Sequence, residues 1–144
     1  MNRALLFSTV LLVGSALAAR GQGPAMRQHG DITLSAVAGT WDGKSMVGPK
    51  DSVFATWVLR ATADGKGWTE RLADRGPYPL RIMSMGGDSI VTEMGPYPSA
   101  LRRGQMVTTR HVRHFKGNTM TGSFEAHYAT GDVVQGKIAA TRKK

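Results

Sequence analysis

The stretch His-Val-Arg-His at 111–114 and the acid pair Glu70 and Asp74 come nearest, in type and spacing, to residues that could do chemistry. Two histidines three apart invite a zinc site. The stretch reads as a strand, however, and strand residues three apart point to opposite faces, so His111 and His114 cannot share one ion. His127 falls on the side of His114, but about 20 Å further along the ladder at ~3.3 Å per residue. Of the acids, only Glu70 and Asp74 are spaced to converge, and both border a turn, which favours solvated turn carboxylates over an acid–base pair. There is no cysteine, which removes thiol catalysis, disulfides and cysteine metal sites. The expectation is a protein with no catalytic residues and no metal site, a binder rather than an enzyme.

The elements that must position these side chains are strands. From Ala36 the chain runs in short stretches rich in Val, Thr, Trp, Ile and Phe, separated by Gly, Pro, Asp and Asn, the composition of an all-β protein. The turns divide it into about eight strands joined by short loops, and short loops force antiparallel neighbours. Only "SALRRGQ" offers a single helical turn outside the first residues. An up-and-down antiparallel meander of this size removes its edges by closing, so the predicted fold is a small barrel, with an open sheet or two-sheet sandwich as the alternative.

Hairpin counting gives the faces. A turn at Gly117 and Asn118 sets His114 opposite Thr121, Val112 opposite Ser123 and Arg110 opposite Glu125, an ion pair suited to a solvated side. The other face carries Val107, His111, Arg113 and Phe115 against Met120, Phe124, Ala126 and Tyr128, and should look inward. His111 and Arg113 then point into the barrel. There they orient a polar or anionic ligand end, or they are structural, with Arg113 snorkelling from an open end and His111 bonded to Thr109 or Tyr128. A second hairpin about Gly87 sets Leu80 opposite Met94, Ile82 opposite Thr92, Ser84 opposite Ile90 and Arg81 opposite Glu93. Gly-Pro-Tyr-Pro occurs at 76–79 and again at 95–98. Proline lacks the ladder donor, so both copies should terminate their strands at one end, with Pro77 opposite Tyr97 and with Tyr78 and Tyr97 meeting at a rim.

The 144 residues suffice for one domain. A positive start, the apolar run "ALLFSTVLLVGSALA" and the Ala16-Leu17-Ala18 site predict a signal peptide over 1–18, cleaved near Ala18 or Ala19, and the run is shorter than the ~20 residues of a bilayer span. A flexible leader over 19–35 and a single barrel domain over 36–142 complete the organisation. The protein is then secreted or periplasmic, and not an integral membrane protein. Its net charge of +9 becomes +8 when Arg3 leaves with the first 18 residues. Dispersed basic charge outside the cytoplasm points to an anionic envelope component as partner and not to nucleic acid.

The first strand reads Gly39-Thr40-Trp41, and with the strand count it resembles the opening of lipocalins and avidin-type proteins, the calycin group. The resemblance implies that Trp41 plugs one end of the barrel and that a basic residue near the end of the last strand packs across it, Arg142 or alternatively Lys137. Avidin-type proteins carry Asn and Ser where this chain has Gly43 and Val47, which argues against biotin. "GTWDGKS" is also similar to the start of nitrobindin-like haem barrels, which would imply His127 or His111 as a haem ligand; otherwise no cofactor is expected. The predicted function is binding of a small apolar, amphipathic or anionic ligand in the interior, by Trp41, Trp57, His111, Arg113, Phe124 and Tyr128, with Tyr78 and Tyr97 at the rim. The alternative is a cavity-free barrel acting through its basic surface on an envelope component or a partner protein.

Overall fold

The computed structural model describes residues 30–144; the predicted signal peptide and leader residues 19–29 lie outside the described residues. A four-residue helix, α1 (Leu34–Val37), precedes eight strands: β1 (Gly39–Val47), β2 (Ser52–Ala61), β3 (Thr69–Leu72), β4 (Arg75–Gly86), β5 (Ser89–Pro98), β6 (Met106–Lys116), β7 (Thr119–Tyr128) and β8 (Val133–Arg142). Each strand pairs antiparallel with the next, and β1 pairs with β8 from Trp41 opposite Arg142 to Met46 opposite Lys137, so the meander closes. Closure leaves neither an open sheet nor a sandwich. The segment 99–105 holds no helical turn; Ser99 Oγ instead accepts from the amides of Leu101 and Arg102 at 3.1 and 3.0 Å, a side-chain-capped loop.

The predicted faces are the observed ones. Val107, His111, Arg113, Phe115, Met120, Phe124, Ala126 and Tyr128 are all buried, and β6 and β7 pair in the predicted register. Arg81 and Glu93 pair at 2.7 Å on the outer wall. Arg110 stands opposite Glu125, but the carboxylate turns to His127 and Gln135 instead. In β4 the counting fails beyond Ile82, because a bulge at Met83 sets Ser84 opposite Val91 rather than Ile90. Large rings fill the interior where the neighbouring strand carries no side chain. Trp57 lies across its register partner Gly43, and Phe124 across Gly136, so that a Cβ at either glycine would overlap the ring. This alternation of large and small is how a narrow barrel packs its inside.

The two ends differ. At the base, α1 lies under the barrel, with Thr33 Oγ1 capping it by accepting from Ala36 N at 3.2 Å. Trp41 is fully buried, donates from Nε1 to Val37 O at 2.9 Å and meets Phe115 edge-on at 5.2 Å. The Arg142 guanidinium stacks 4.6 Å from the Trp41 ring and donates to the carbonyls of Ala38 and Ala36 at 2.9 and 2.7 Å. Of the two candidates for this role, Lys137 lies elsewhere, beside Asp51. Residues placed in the leader also join the base, since Ile32 N donates to Gly87 O at 2.7 Å and Asp31 accepts from Gly87 N at 3.0 Å.

At the opposite end, the mouth, the repeated tetrapeptide ends the β4–β5 pairing as predicted, and the second copy closes β5 at Pro98. But β4 runs through the first copy from Arg75, and Pro77 and Tyr97 are not ladder partners. The ladder between β4 and β5 stops at Leu80 opposite Met94, while the outer edges stay paired, Tyr78 with Glu70 and Tyr97 with Val107. Gly95, at φ 121, runs so close to β6 that a Cβ would come within 2.7 Å of Val107 O, which only glycine permits. Tyr78 and Tyr97 do meet, with ring centroids 5.2 Å apart.

Arg142 joins the helix, the Trp41 plug and the last strand in one residue. Arg142→Ala should lower stability by about 2 kcal/mol, and Arg142→Lys should recover little because lysine lacks the planar fork. Urea unfolding of the three proteins checks this; a lysine variant as stable as wild type would contradict it.

Candidate functional site

Trp68, just before β3, and Glu70 and Leu72 on it alternate inward and all three are buried, which carries an acid into the middle of the barrel. Glu70 Oε2 accepts from Arg113 Nη2 at 2.7 Å, with both side chains essentially sealed from solvent. The other two nitrogens of Arg113 also have partners. Nε gives to Thr92 Oγ1 at 3.0 Å, and Nη1 reaches Met120 Sδ at 3.9 Å. The guanidinium lies 5.2 Å from the Trp57 ring, and Trp57 Nε1 in turn donates to Ser45 Oγ at 3.0 Å. A charge here is tolerated only because its partner and its hydrogen bonds are in place.

Between this network and the mouth lies a chamber of about 30 Å³, walled by Glu70, His111, Thr109, Tyr97, Phe124 and Tyr128 and roofed by Phe54 and Leu101. That is room for a group of a few atoms, since a single water needs only about 10–15 Å³ by a comparable measure. Its hydroxyls are paired, Tyr97 with Thr109 at 2.6 Å and Ser99 with Tyr128 at 2.8 Å. Burial, reinforced by the charge of Glu70, pushes the Tyr97 phenol up to about 12 despite its bond to Thr109, so it stays protonated. Burial first, and the positive charge of Arg113 second, hold the His111 imidazole well below its ordinary value, so it is neutral. Its Nδ1 is buried without a partner.

Outside the chamber is an open vestibule of about 590 Å³ that includes Asp74, Arg75 and Arg103. Phe54, Ala55, Leu72, Ser99 and Ala100 line both spaces, so a neck one side chain thick separates them. The loop 99–105 forms part of that neck and is fastened to the turn before β8. Arg102 pairs with Asp132 at 2.8 Å and stacks 4.5 Å from the Tyr128 ring. A larger hollow of about 740 Å³ lies on the outer wall across β7, β8, β1, β2 and β3. Its outward side chains, among them Lys44, Thr56, Arg71, Thr121 and Thr141, are exposed, so it is an open saddle on the outside of the barrel.

No protein family, curated protein or solved structure matches the chain. The reading therefore rests on the residues themselves.

Of the six residues expected to bind a ligand, the fold brings His111, Phe124 and Tyr128 to the chamber. Trp41 lies at the base instead, and Trp57 and Arg113 pack beneath the chamber rather than lining it. Of the rim tyrosines, Tyr97 reaches the chamber wall and Tyr78 stacks behind it. His111 does not bond Thr109 or Tyr128, whose hydroxyls are taken by Tyr97 and Ser99, and Arg113 does not snorkel. Glu70 is the correction of most consequence, because it is a buried partner of Arg113 and not a solvated turn acid. Its signal was present in the alternation Trp68, Glu70, Leu72. His111 points inward and His114 outward, and among the described residues no three His, Asp or Glu gather as metal ligands.

Glu70→Ala or Arg113→Ala alone should cost about 3–5 kcal/mol, since each strands a buried charge, whereas Glu70→Leu with Arg113→Met should recover most of the loss. Equilibrium unfolding of the cycle decides the matter, and additive losses would contradict the pairing. Because folded His111 resists protonation, the unfolded chain binds more protons once the pH drops below 6.5. Its contribution to stability is therefore complete above that value and declines towards acid, by up to ~1.4 kcal/mol per pH unit. His111→Phe should flatten the pH dependence of unfolding between 6.5 and about 5.5; an unchanged slope would rule this out.

Proposed function

We propose that the protein is an exported, calycin-like barrel that binds a small amphipathic molecule end-on. The ligand enters by the mouth, lays an apolar part against Phe54, Leu72 and Leu101, and seats its polar end in the chamber beside Glu70 and His111. The observation that carries this reading is the chamber itself, a buried polar space one side chain away from an open vestibule. A barrel built only for stability would fill such a space with hydrocarbon, because buried polar groups cost free energy without adding packing. The Arg142 stack on Trp41 supports the calycin resemblance, and the apolar run before Ala18 supports export. Binding rather than catalysis is favoured because Glu70 is committed to Arg113 and, among the described residues, no hydroxyl is hydrogen-bonded to His111, those of Thr109 and Ser99 being paired with Tyr97 and Tyr128. The anionic ligand end expected from Arg113 finds no support, since Arg113 is paired with Glu70 and packs beneath the chamber rather than lining it.

A second reading, action on an anionic envelope surface, draws on the mouth as well. Val53, Leu101, Met106 and Val133 are exposed there at 38–51%, with Lys50 and Arg103 in the adjoining loops.

Protein recovered from its native compartment should carry an added mass in native mass spectrometry, released on unfolding. Phe54→Trp, which thickens the neck, should lower the occupied fraction several-fold without lowering stability. Uniformly bare protein in every preparation would defeat the first reading. Salt-sensitive co-sedimentation with anionic vesicles, lost in Leu101→Ser with Arg103→Ser, would then favour the second.

A further inference from the structure

The chamber wall also limits what kind of polar end it can take. His111 has one nitrogen, Nδ1, sealed and without a partner. A sealed N–H would forfeit a hydrogen bond that water would otherwise supply, and a bare lone pair is the cheaper group to strand. The neutral ring therefore carries its proton on Nε2, and the edge that His111 presents to the chamber is a donor. Glu70 supplies the opposite function. Its Oε2 is held by Arg113, and its carboxylate, on the chamber wall, can only accept. Ser45 Oγ accepts from Trp57 Nε1, which leaves its own hydroxyl proton to give.

The charges are already balanced. Glu70 and Arg113 neutralise each other, and the guanidinium packs beneath the chamber rather than lining it. An anion entering the chamber would meet the Glu70 carboxylate with no free cation to compensate. A cation would compete with Arg113 for Glu70 while facing Arg113 itself. In so small and dry a space an unpaired charge is the costliest occupant.

We infer that the polar end of the ligand is an uncharged group with a separate hydrogen-bond donor and acceptor, the chemistry of a carboxamide, held between the Glu70 carboxylate and His111 Nε2–H. The inference rests on the chamber being the binding site. The N–H of such a head gives to Glu70 and its C=O accepts from His111, while the rotatable hydroxyls of Ser45 and of the Tyr97–Thr109 and Ser99–Tyr128 pairs adjust around it. The chamber admits only this head; the apolar remainder lies along the neck of Phe54, Leu72 and Leu101.

Three probes with the same chain and different ends test it. Isotope-labelled protein is titrated with hexanamide, hexanoate and hexylamine while the signals of Tyr97, Thr109 and His111 are followed by NMR. Hexanamide should shift these signals and bind at least about tenfold more tightly than either charged probe, and His111→Phe should weaken it by about tenfold. The long-range nitrogen–proton spectrum of the unliganded wild type should show the His111 proton on Nε2, a reading that does not depend on any variant folding. A proton on Nδ1, or hexanoate or hexylamine binding as well as hexanamide, overturns the inferred head group and leaves the chamber standing as a site. Chamber signals that respond to none of the three probes overturn the binding reading and this inference together.

Discussion

The interior of this barrel is organised by one buried ion pair. Arg113 on β6 and Glu70 on β3 reach across the lumen from strands that are not neighbours, and their 2.7 Å contact connects walls that no backbone ladder joins. Everything around the pair is arranged to satisfy it. Thr92 takes the third nitrogen, Trp57 covers the guanidinium face, and Ser45 anchors Trp57. A hydrophobic pair of the same volume would hold the walls together at lower desolvation cost. The polar choice gives the barrel a floor with a fixed field, above which His111 stays neutral and the carboxylate of Glu70 has a defined direction.

That floor divides the molecule by role. Below it the packing is apolar and closed by α1, Trp41 and Arg142, where one side chain satisfies two backbone carbonyls that would otherwise end without partners. Above it the interior side chains become polar, with Tyr97, Thr109, Ser99, Tyr128 and His111 around the chamber, and the segment 99–105 is fastened by Arg102 to Asp132 and Tyr128. The apolar plug and the polar chamber thus occupy opposite ends of one short barrel. This separation is what lets a domain without disulfides keep a polar space inside.

How much of this was legible in the sequence depended on the range of the interaction. The β6–β7 face followed from alternation about a two-residue turn, because its register is fixed locally, and His111 and Arg113 were placed inward on that basis. Glu70 was misread because proximity to a turn was given more weight than the alternation Trp68, Glu70, Leu72, although the same rule applied to both strands. The bulge at Met83 left no local mark, since it answers to the curvature the closed barrel imposes. The chamber was illegible for a related reason. Its volume is set by Phe54, Leu101 and Tyr97, brought together from three separate parts of the chain, and no pairwise count along a hairpin reports it. Trp41 and Arg142 were placed by resemblance to the calycin opening rather than by periodicity.

The doubled Gly-Pro-Tyr-Pro has a mechanical meaning. Above Leu80 and Met94 the wall between β4 and β5 has no ladder, so the hydrogen-bonded wall is interrupted there at the mouth, as it also is on either side of the short β3. What bridges the interruption is the Tyr78–Tyr97 ring contact, worth about 0.5–1.5 kcal/mol beyond burial, and two exposed side-chain bonds, from Arg81 to the Gly95 carbonyl and from Arg75 to the Pro98 carbonyl. It is an expansion joint. The mouth can dilate there by parting two rings and two side-chain bonds, while the seven remaining seams of the barrel keep their backbone bonds.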